Sequence, residues 1–136
     1  MCWVLAAAGA YNLAWGAFVV LWPGAFFRWA GAEPPNYPEI WQCVGMIVGV
    51  YGVGYLVAAR DPFRHWAIVL VGFLGKFFGP LGFLWSLWRG GSYPRSLGLV
   101  NVTNDLVWLV PFALILRGAY RYERARGGGV YNGDGN

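Results

Sequence analysis

The stretch "LVGFLGKFFGPLGFLW", residues 70–85, decides the fold because it is apolar apart from one charge, Lys76. A run of this kind is typical of a membrane-spanning helix, which needs about 20 apolar residues to cross the hydrocarbon core. An unpaired charge at the centre of such a helix costs about 2.5–3.5 kcal/mol on insertion scales. The stretch therefore predicts a membrane helix and a polar partner for Lys76 inside the membrane.

The composition of the whole chain agrees with a membrane environment. The 136 residues are 58% hydrophobic and 19% aromatic, and only 12% are charged. A soluble domain usually devotes about a quarter of its residues to charge. Because a solvated surface is hard to build from half that share, the composition favours an integral membrane protein over a soluble helical bundle.

Four apolar segments follow one another along the chain. Their lengths suit membrane crossing, and a backbone in lipid must satisfy its own hydrogen bonds, so helices are expected. The fold class predicted is an all-α, polytopic membrane protein built as a four-transmembrane-helix bundle. The predicted spans are residues 3–22, 39–59, 65–88 and 96–120, followed by a polar, glycine-rich tail at 121–136.

The aromatic stretch between the first two spans, residues 23–38, is longer than a turn. Two interpretations stay open for it. It forms either a short amphipathic element along the membrane interface or an ordinary loop outside the membrane.

The arginines predict the orientation of the chain. Positive residues concentrate on the cytoplasmic side of membrane proteins. Three arginines fall on one side of the predicted spans, at Arg28, Arg89 and Arg95. Six fall on the side that carries both termini, namely Arg60, Arg64, Arg117, Arg121, Arg124 and Arg126. The sequence therefore predicts that both termini are cytoplasmic.

A polar face on the fourth span supplies a partner for Lys76. Asn101, Asn104 and Asp105 are spaced i, i+3 and i+4, so they share one side of a helix. Counted from the same membrane boundary, Asp105 is nine residues deep and Lys76 twelve, a difference of roughly 4 Å along the helix axis. The spacing predicts a Lys76–Asp105 pair inside the bundle.

Other polar residues are predicted to join this pair. Glu39 and Gln42 open the second span near the same side of the membrane, and Asn12 lies midway along the first. We expect all three to contribute to one polar cluster in that half of the bundle.

Two prolines lie next to the cluster. Pro80 has no N–H to donate to the carbonyl of Lys76, and Pro111 has none for the carbonyl of Val107. Helix kinks are therefore expected at both prolines.

The Lys76–Asp105 pair has two interpretations from sequence, and both stay open. A buried ion pair can fix the register of two helices. An ionisable residue inside a membrane can also form a site for a ligand head group, a proton or an ion.

Several other kinds of site are not supported by the residues. The arginines are scattered rather than clustered on one element, which argues against nucleic-acid binding. One histidine and two distant cysteines, Cys2 and Cys43, do not make a structural zinc site, so no metal is expected. Cys43 beside Glu39 leaves a redox enzyme as a third hypothesis, although no CxxC motif is present.

Residues 11–116 resemble a family of small bacterial four-helix membrane proteins similar to DoxX-like proteins. The elements that carry the resemblance are Tyr11-Asn12, Pro38-Glu39, Gln42, Arg60-Asp61-Pro62, Lys76, Gly79-Pro80, Asn104-Asp105 and Pro111-Phe112. Some members bear the label alkyl hydroperoxide reductase, which these residues do not support. The resemblance implies a four-helix architecture, a location in the bacterial inner membrane and an association with redox or thiol-linked membrane complexes.

The predicted function is that of a non-catalytic accessory or structural subunit, because almost no part of the chain lies outside the predicted spans. Its partners would be membrane lipids and other integral membrane chains. The alternative is a membrane protein that binds or carries a small hydrophobic ligand, such as a quinone, lipid or pigment. Lys76, Asp105, Asn104 and Glu39 would then hold its polar head.

Overall fold

The computed structural model describes residues 1–91 and 96–128, and its regular secondary structure there is helical. In chain order the elements are α1 (Cys2–Leu21), α2 (Ala25–Ala30), α3 (Pro38–Ala58), α4 (Trp66–Trp88), α5 (Ser96–Asn101), a π-helical turn (Val102–Leu106) and α6 (Val107–Gly128). The last three elements follow one another without a break and form one long helical rod.

Four of these helical rods are long and apolar enough to cross a membrane, which confirms the predicted fold class. They are Cys2–Leu21, Pro38–Ala58, Trp66–Trp88 and Gly98–Arg126. The first three differ from the predicted spans by a residue or two. The chain is thus a multi-pass membrane protein whose apolar outer faces contact lipid.

The fourth rod continues past the predicted end of its span at Tyr120. Its helix runs on to Gly128, because Arg121, Glu123 and Arg124 are good helix formers and need no apolar environment. Residues 129–136 of the predicted tail lie outside the described residues.

The closest packing in the bundle joins α1 to α3, which run antiparallel. Gly9 faces Gly52, and Gly16 faces Gly45. A Cβ at Gly16 would lie 2.5 Å from the carbonyl oxygen of Gly45, and one at Gly9 would lie 2.9 Å from that of Gly52. Within lipid, small residues let backbones approach in this way. Two glycines seven residues apart in each helix therefore allow α1 and α3 to pack closely along their length.

All four long rods share a hydrophobic core near the end of the bundle that carries Met1. Tyr55 and Phe112 meet edge to face, with ring centroids 5.1 Å apart, at the centre of this core. Its buried members are Leu5, Ala8, Tyr55, Ala58, Val69, Phe112 and Ile115. We call this the closed end of the bundle, because the side chains here leave little accessible surface.

The N-terminus, the turn after α3 and the far part of α6 lie together at the closed end. A Cβ at Gly118 would be 3.0 Å from Phe63 and 3.3 Å from Met1. The chain therefore starts, and α6 ends, on the same side of the membrane.

At the opposite end, the stretch 23–38 contains the short helix α2, and its position along the membrane interface stays a prediction. Its Phe26 is buried between Trp15, at 5.3 Å, and Trp41, at 5.6 Å between ring centroids. This aromatic contact covers the end of the α1–α3 pair that lies opposite the closed end.

Candidate functional site

Lys76 is buried at the middle of α4, where only 4% of its surface is exposed. Its ammonium donates to the main-chain carbonyl of Asn104 at 2.6 Å and lies 3.9 Å from Oδ1 of Asp105. The predicted pair is thus present in the geometry. The nearer acceptor, however, is a main-chain atom, which residue types alone do not reveal.

That carbonyl belongs to the π-helical turn, which was not predicted. A π turn widens the helix and shifts the pairing of main-chain groups by one residue. Thr103, in the same turn, sends its hydroxyl back to the carbonyl of Leu99 at 3.1 Å, which competes with regular helix bonding. The turn presents the carbonyl of Asn104 to α4.

Both predicted proline positions lie inside helices, Pro80 in α4 and Pro111 in α6. Since Pro80 lacks an N–H, the carbonyl of Lys76 receives no bond from the residue four positions later. The carbonyls left without a helical donor therefore belong to Lys76 and, through Pro111, to Val107, which directly follows the π segment. The helix kinks expected at the two prolines stay a prediction.

Asp105 reaches α4 because Gly79 has no side chain. A Cβ at Gly79 would lie 3.0 Å from Oδ2 of Asp105. The other carboxylate oxygen accepts a hydrogen bond from Nδ2 of Asn104 at 2.8 Å. The carboxylate is therefore held on both sides, with 13% of its side chain exposed.

Two buried amide oxygens near the pair have no donor among the described residues. They are Oδ1 of Asn12, a residue only 3% exposed, and Oδ1 of Asn104. A buried polar atom without a partner is costly, so most such atoms are satisfied by protein, water or ligand. Two orphan acceptors beside a lysine indicate a place where another molecule donates.

A pocket of about 320 Å³ lies directly beside these groups. Its polar wall consists of Asn12, Lys76, Asn104 and Asp105. Its remaining lining is Val44, Ile47, Val48, Tyr51, Tyr55, Gly72, Gly75 and Gly79. We call this the Lys76 pocket. Three of the six residues predicted to join Lys76, namely Asn12, Asn104 and Asp105, thus meet it at one cavity.

The Lys76 pocket opens between α3 and α4 toward the lipid. Val44 and Ile47, which line it on α3, are 40% and 57% exposed. On α4 the lining glycines surround Lys76 at positions 72, 75 and 79, all on one face of the helix. The space beside Gly72 is taken by Tyr55 and that beside Gly79 by Asp105, whereas nothing lies within 4 Å of a Cβ at Gly75.

Tyr55 forms the floor of the Lys76 pocket toward the closed end. Its ring lies 5.9 Å from the ammonium of Lys76, and its phenol packs against Gly72, where a Cβ would clash with it. Sequence reasoning missed Tyr55 and Gly72. The signal available was the spacing of Gly72, Gly75, Lys76 and Gly79, which removes side chains from one face around a charge.

Glu39 and Gln42 do not join the cluster, so this part of the prediction was wrong. Glu39 is exposed, and Gln42 donates to the carbonyl of Val20 at 2.8 Å, which ties α3 to α1. Glu39 precedes Val44 by five residues, which places it about 140° around the helix from the pocket wall. Glu39 and Gln42 were predicted in the cluster from their depth in the membrane, but their side chains do not lie on the side of α3 that faces the pocket.

Asn101, the last residue of α5, is half-buried and lies one turn before Asn104. It is absent from the described lining of the Lys76 pocket. Its place on the predicted polar face therefore does not bring it to the cavity.

The two cysteines are both exposed and lie toward opposite ends of the bundle. Cys2 begins α1 at the closed end, whereas Cys43 is in the first half of α3, level with the far part of α1. A disulfide needs Cα atoms within about 7 Å, so these two do not pair within one chain. A redox role for Cys43 with Glu39 stays a prediction.

No known protein family, curated protein sequence or solved structure matches this chain. The resemblance to DoxX-like proteins stays a prediction from the sequence. What the site does is therefore inferred from its geometry.

Proposed function

We infer that the protein binds a small amphiphilic molecule from the membrane in the Lys76 pocket. The observation that carries this function is a lipid-facing cavity with buried, incompletely satisfied polar groups on its inner wall. A register lock between α4 and the π turn would need the ion pair but not the empty volume beside it. Ligand sites are typically apolar clefts with a few convergent polar groups.

The size of the cavity suits part of a ligand rather than a single water. An apolar cavity of about 150 Å³ accommodates benzene. The Lys76 pocket, at about 320 Å³, has room for roughly twice that volume. The remainder of a longer ligand would lie in the opening between α3 and α4. Quinones, lipids and pigments are the molecules of this kind that a membrane offers.

The proposed location is the bacterial inner membrane, with both termini in the cytoplasm. The arginine distribution supports this orientation, since α6 carries Arg117, Arg121, Arg124 and Arg126 beyond or near the membrane boundary at the closed end. Under this orientation the closed end faces the cytoplasm and the Lys76 pocket lies near the middle of the bundle.

A second candidate function, an accessory subunit of a larger membrane complex, is favoured by the surface at the closed end. There Asp61, Arg64, Glu123 and Arg126 surround a polar depression of about 460 Å³ together with Tyr122. Charges of both signs around a recess suit a polar segment of a partner chain. Crosslinking in intact membranes tests this role, and a chain that crosslinks to no partner contradicts it.

Comparison of the molecules carried by purified variants tests the ligand-binding function. Val48→Trp fills the Lys76 pocket from α3, whereas Val53→Trp adds the same bulk to an exposed position on the other side of α3. After solvent extraction, the wild type and Val53→Trp are expected to carry a molecule enriched over bulk lipid, and Val48→Trp is expected to lack it. Equal extracts from all three proteins would overturn the proposed function.

A further inference from the structure

A second groove continues from the Lys76 pocket toward the closed end. It has a volume of about 370 Å³ and lies along the seam between α3 and α4. Its lining is apolar and consists of Val50, Tyr51, Gly54, Ala67, Ile68 and Val71. Tyr51 lines both cavities, so they are neighbours on one continuous seam. We call the second cavity the α3–α4 groove.

The two cavities together define a path for a single chain. From Val44 in the Lys76 pocket to Gly54 in the α3–α4 groove, α3 advances ten residues, or about 15 Å. Over this distance the wall changes from polar at Lys76 to wholly aliphatic and aromatic. A molecule with one polar end and one apolar chain fits this gradient in only one direction.

The charges of the Lys76 pocket set the charge of the polar end. Lys76 and Asp105 have opposite formal charges, and the described lining holds no other acidic or basic side chain. An anionic head would meet Asp105, and a cationic head would meet Lys76, at short range in a low dielectric. Like charges brought together under such conditions cost several kcal/mol. The pair therefore selects against either charge.

The depth of Lys76 in the membrane also requires that the head group of the ligand be uncharged. The residue is ten positions from the start of α4 and twelve from its end, so it lies about 15–18 Å from either end. The hydrocarbon core is about 30 Å thick, which places the ammonium near its middle. The phosphate of an intact phospholipid stays at the membrane surface, whereas an uncharged amphiphile can reach this depth.

The orphan acceptors specify the hydrogen bonding of the head. Oδ1 of Asn12 and Oδ1 of Asn104 are buried and receive no donor from the described residues. A head that carries a hydroxyl can donate to one of them while accepting from Lys76. A ketone or ester, with no hydrogen to donate, would leave both oxygens unsatisfied.

We propose that the ligand of the Lys76 pocket is an uncharged, single-chain amphiphile with a hydroxyl-type head, whose chain lies in the α3–α4 groove and points toward the closed end. This inference rests on the proposed function and specifies its ligand class. The head binds Lys76 and the asparagines, and the chain replaces membrane lipid along Gly54, Ala67 and Val71.

Three photoreactive compounds of equal chain length test the proposal: a C12 alcohol, a C12 carboxylate and a C12 amine, each with a diazirine near the chain end. The full-length protein is placed in phosphatidylcholine nanodiscs, because alkyl glycoside detergents are themselves uncharged amphiphiles. Crosslinked peptides are then mapped by mass spectrometry. The wild type is expected to crosslink the alcohol at least about tenfold more efficiently than the carboxylate or the amine, a ratio worth about 1.4 kcal/mol. The crosslinks should fall on residues 50–54 and 67–71.

Two variants make the test specific. Ala67→Trp adds bulk at an exposed position in the α3–α4 groove and should abolish these crosslinks, whereas Val53→Trp, also at an exposed position but outside the groove, should not. Asp105→Asn removes the negative charge and leaves Lys76 to attract an anion, so the preference should change from the alcohol to the carboxylate.

The possible failures separate the two proposals. Equal crosslinking of the alcohol, carboxylate and amine would overturn the uncharged head. Crosslinks spread over the lipid-facing surface, or unaffected by Ala67→Trp, would overturn the placement of the chain. Either result would leave the proposed function standing if a native molecule is extracted from the wild type but not from Val48→Trp. If the alcohol is not crosslinked preferentially and no native molecule is extracted from the wild type, both the proposed ligand class and the proposed function are overturned.

Discussion

The ammonium of Lys76 donates to the main-chain carbonyl of Asn104 at 2.6 Å, which is closer than its 3.9 Å approach to Oδ1 of Asp105. The lysine is thus anchored on the backbone of the π-helical turn, and the carboxylate is its second partner. Because the two contacts differ in this way, the side chains of Lys76, Asp105 and Asn104 are expected to contribute unequally to the stability of the bundle.

Lys76→Met is expected to destabilise the bundle most, because it leaves the carboxylate of Asp105 buried without a cation. Removing one member of a buried pair typically costs about 3–5 kcal/mol. Asn104→Ala retains the main-chain acceptor and loses only the Nδ2 bond to Asp105, so it should cost about 1 kcal/mol. The free energy of unfolding in mixed detergent–denaturant micelles measures both. The double variant Lys76→Met/Asp105→Leu should recover most of the loss, and an equal cost for Lys76→Met and Asn104→Ala would contradict this order.

Gly16→Ala is expected to loosen the pairing of α1 with α3. The added Cβ would lie 2.5 Å from the carbonyl oxygen of Gly45, and that main-chain atom cannot move without separating the helices. Overpacking of this kind costs about 1–3 kcal/mol. Gly82→Ala is the matched control, since nothing lies within 4 Å of its added Cβ, and alanine is the better helix former by up to about 1 kcal/mol. Thermal unfolding measured in detergent should show a lower Tm for Gly16→Ala and no lower Tm for Gly82→Ala. A lower Tm for Gly82→Ala but not Gly16→Ala would show that the contact was misassigned.

Deletion of Thr103 is expected to separate ligand binding from folding. A π turn is one residue longer than the α turn it replaces, so removing one exposed residue from Val102–Leu106 restores a regular helix. The flanking segments then keep their faces, and Phe112 stays in the core. The carbonyl presented to Lys76 is lost, however, and with it the geometry of the pocket. A folded deletion variant that still binds the C12 alcohol would show that the π turn is dispensable.

Glu39→Gln is expected to leave binding of the C12 alcohol unchanged, because Glu39 is exposed and lies on the opposite side of α3 from the pocket wall. Gln42→Leu should lower the free energy of unfolding by about 1 kcal/mol through loss of its bond to the carbonyl of Val20, again without an effect on binding. Crosslinking of the C12 alcohol to Glu39→Gln and to Gln42→Leu checks these two expectations. Loss of crosslinking in Glu39→Gln would show that Glu39 contributes to the binding site.

The sequence was sufficient for the fold and for the central pair. Segment length and hydropathy predicted the four spans, and counting residues from one boundary placed Lys76 within roughly 4 Å of the depth of Asp105, close enough to pair. Depth is a single coordinate, however, and it does not give the direction of a side chain around its helix. For that reason Glu39 was predicted in the cluster, although it projects away from it.

Two features of the site were beyond residue counting for a different reason. The acceptor at Asn104 is a main-chain carbonyl, presented by a π turn in which the hydroxyl of Thr103 donates to the carbonyl of Leu99. The pocket lies along a face of α4 without side chains, where Gly72 and Gly79 admit Tyr55 and Asp105 and only Gly75 faces open space, whereas glycines in a membrane helix are usually interpreted as helix contacts. A glycine face surrounding a buried lysine is the pattern that would have predicted the cavity.

The proposed function requires that the Lys76 pocket hold a molecule drawn from the membrane. A native mass spectrum of the intact protein, released directly from its own membranes, shows whether the chain carries such a molecule. We expect the wild-type chain to carry one small molecule that is absent from Lys76→Met/Asp105→Leu, a variant in which both charged residues of the polar wall are lost and no charge is left unpaired. A wild-type chain released at its bare mass, or one that carries only a partner chain, would contradict the account.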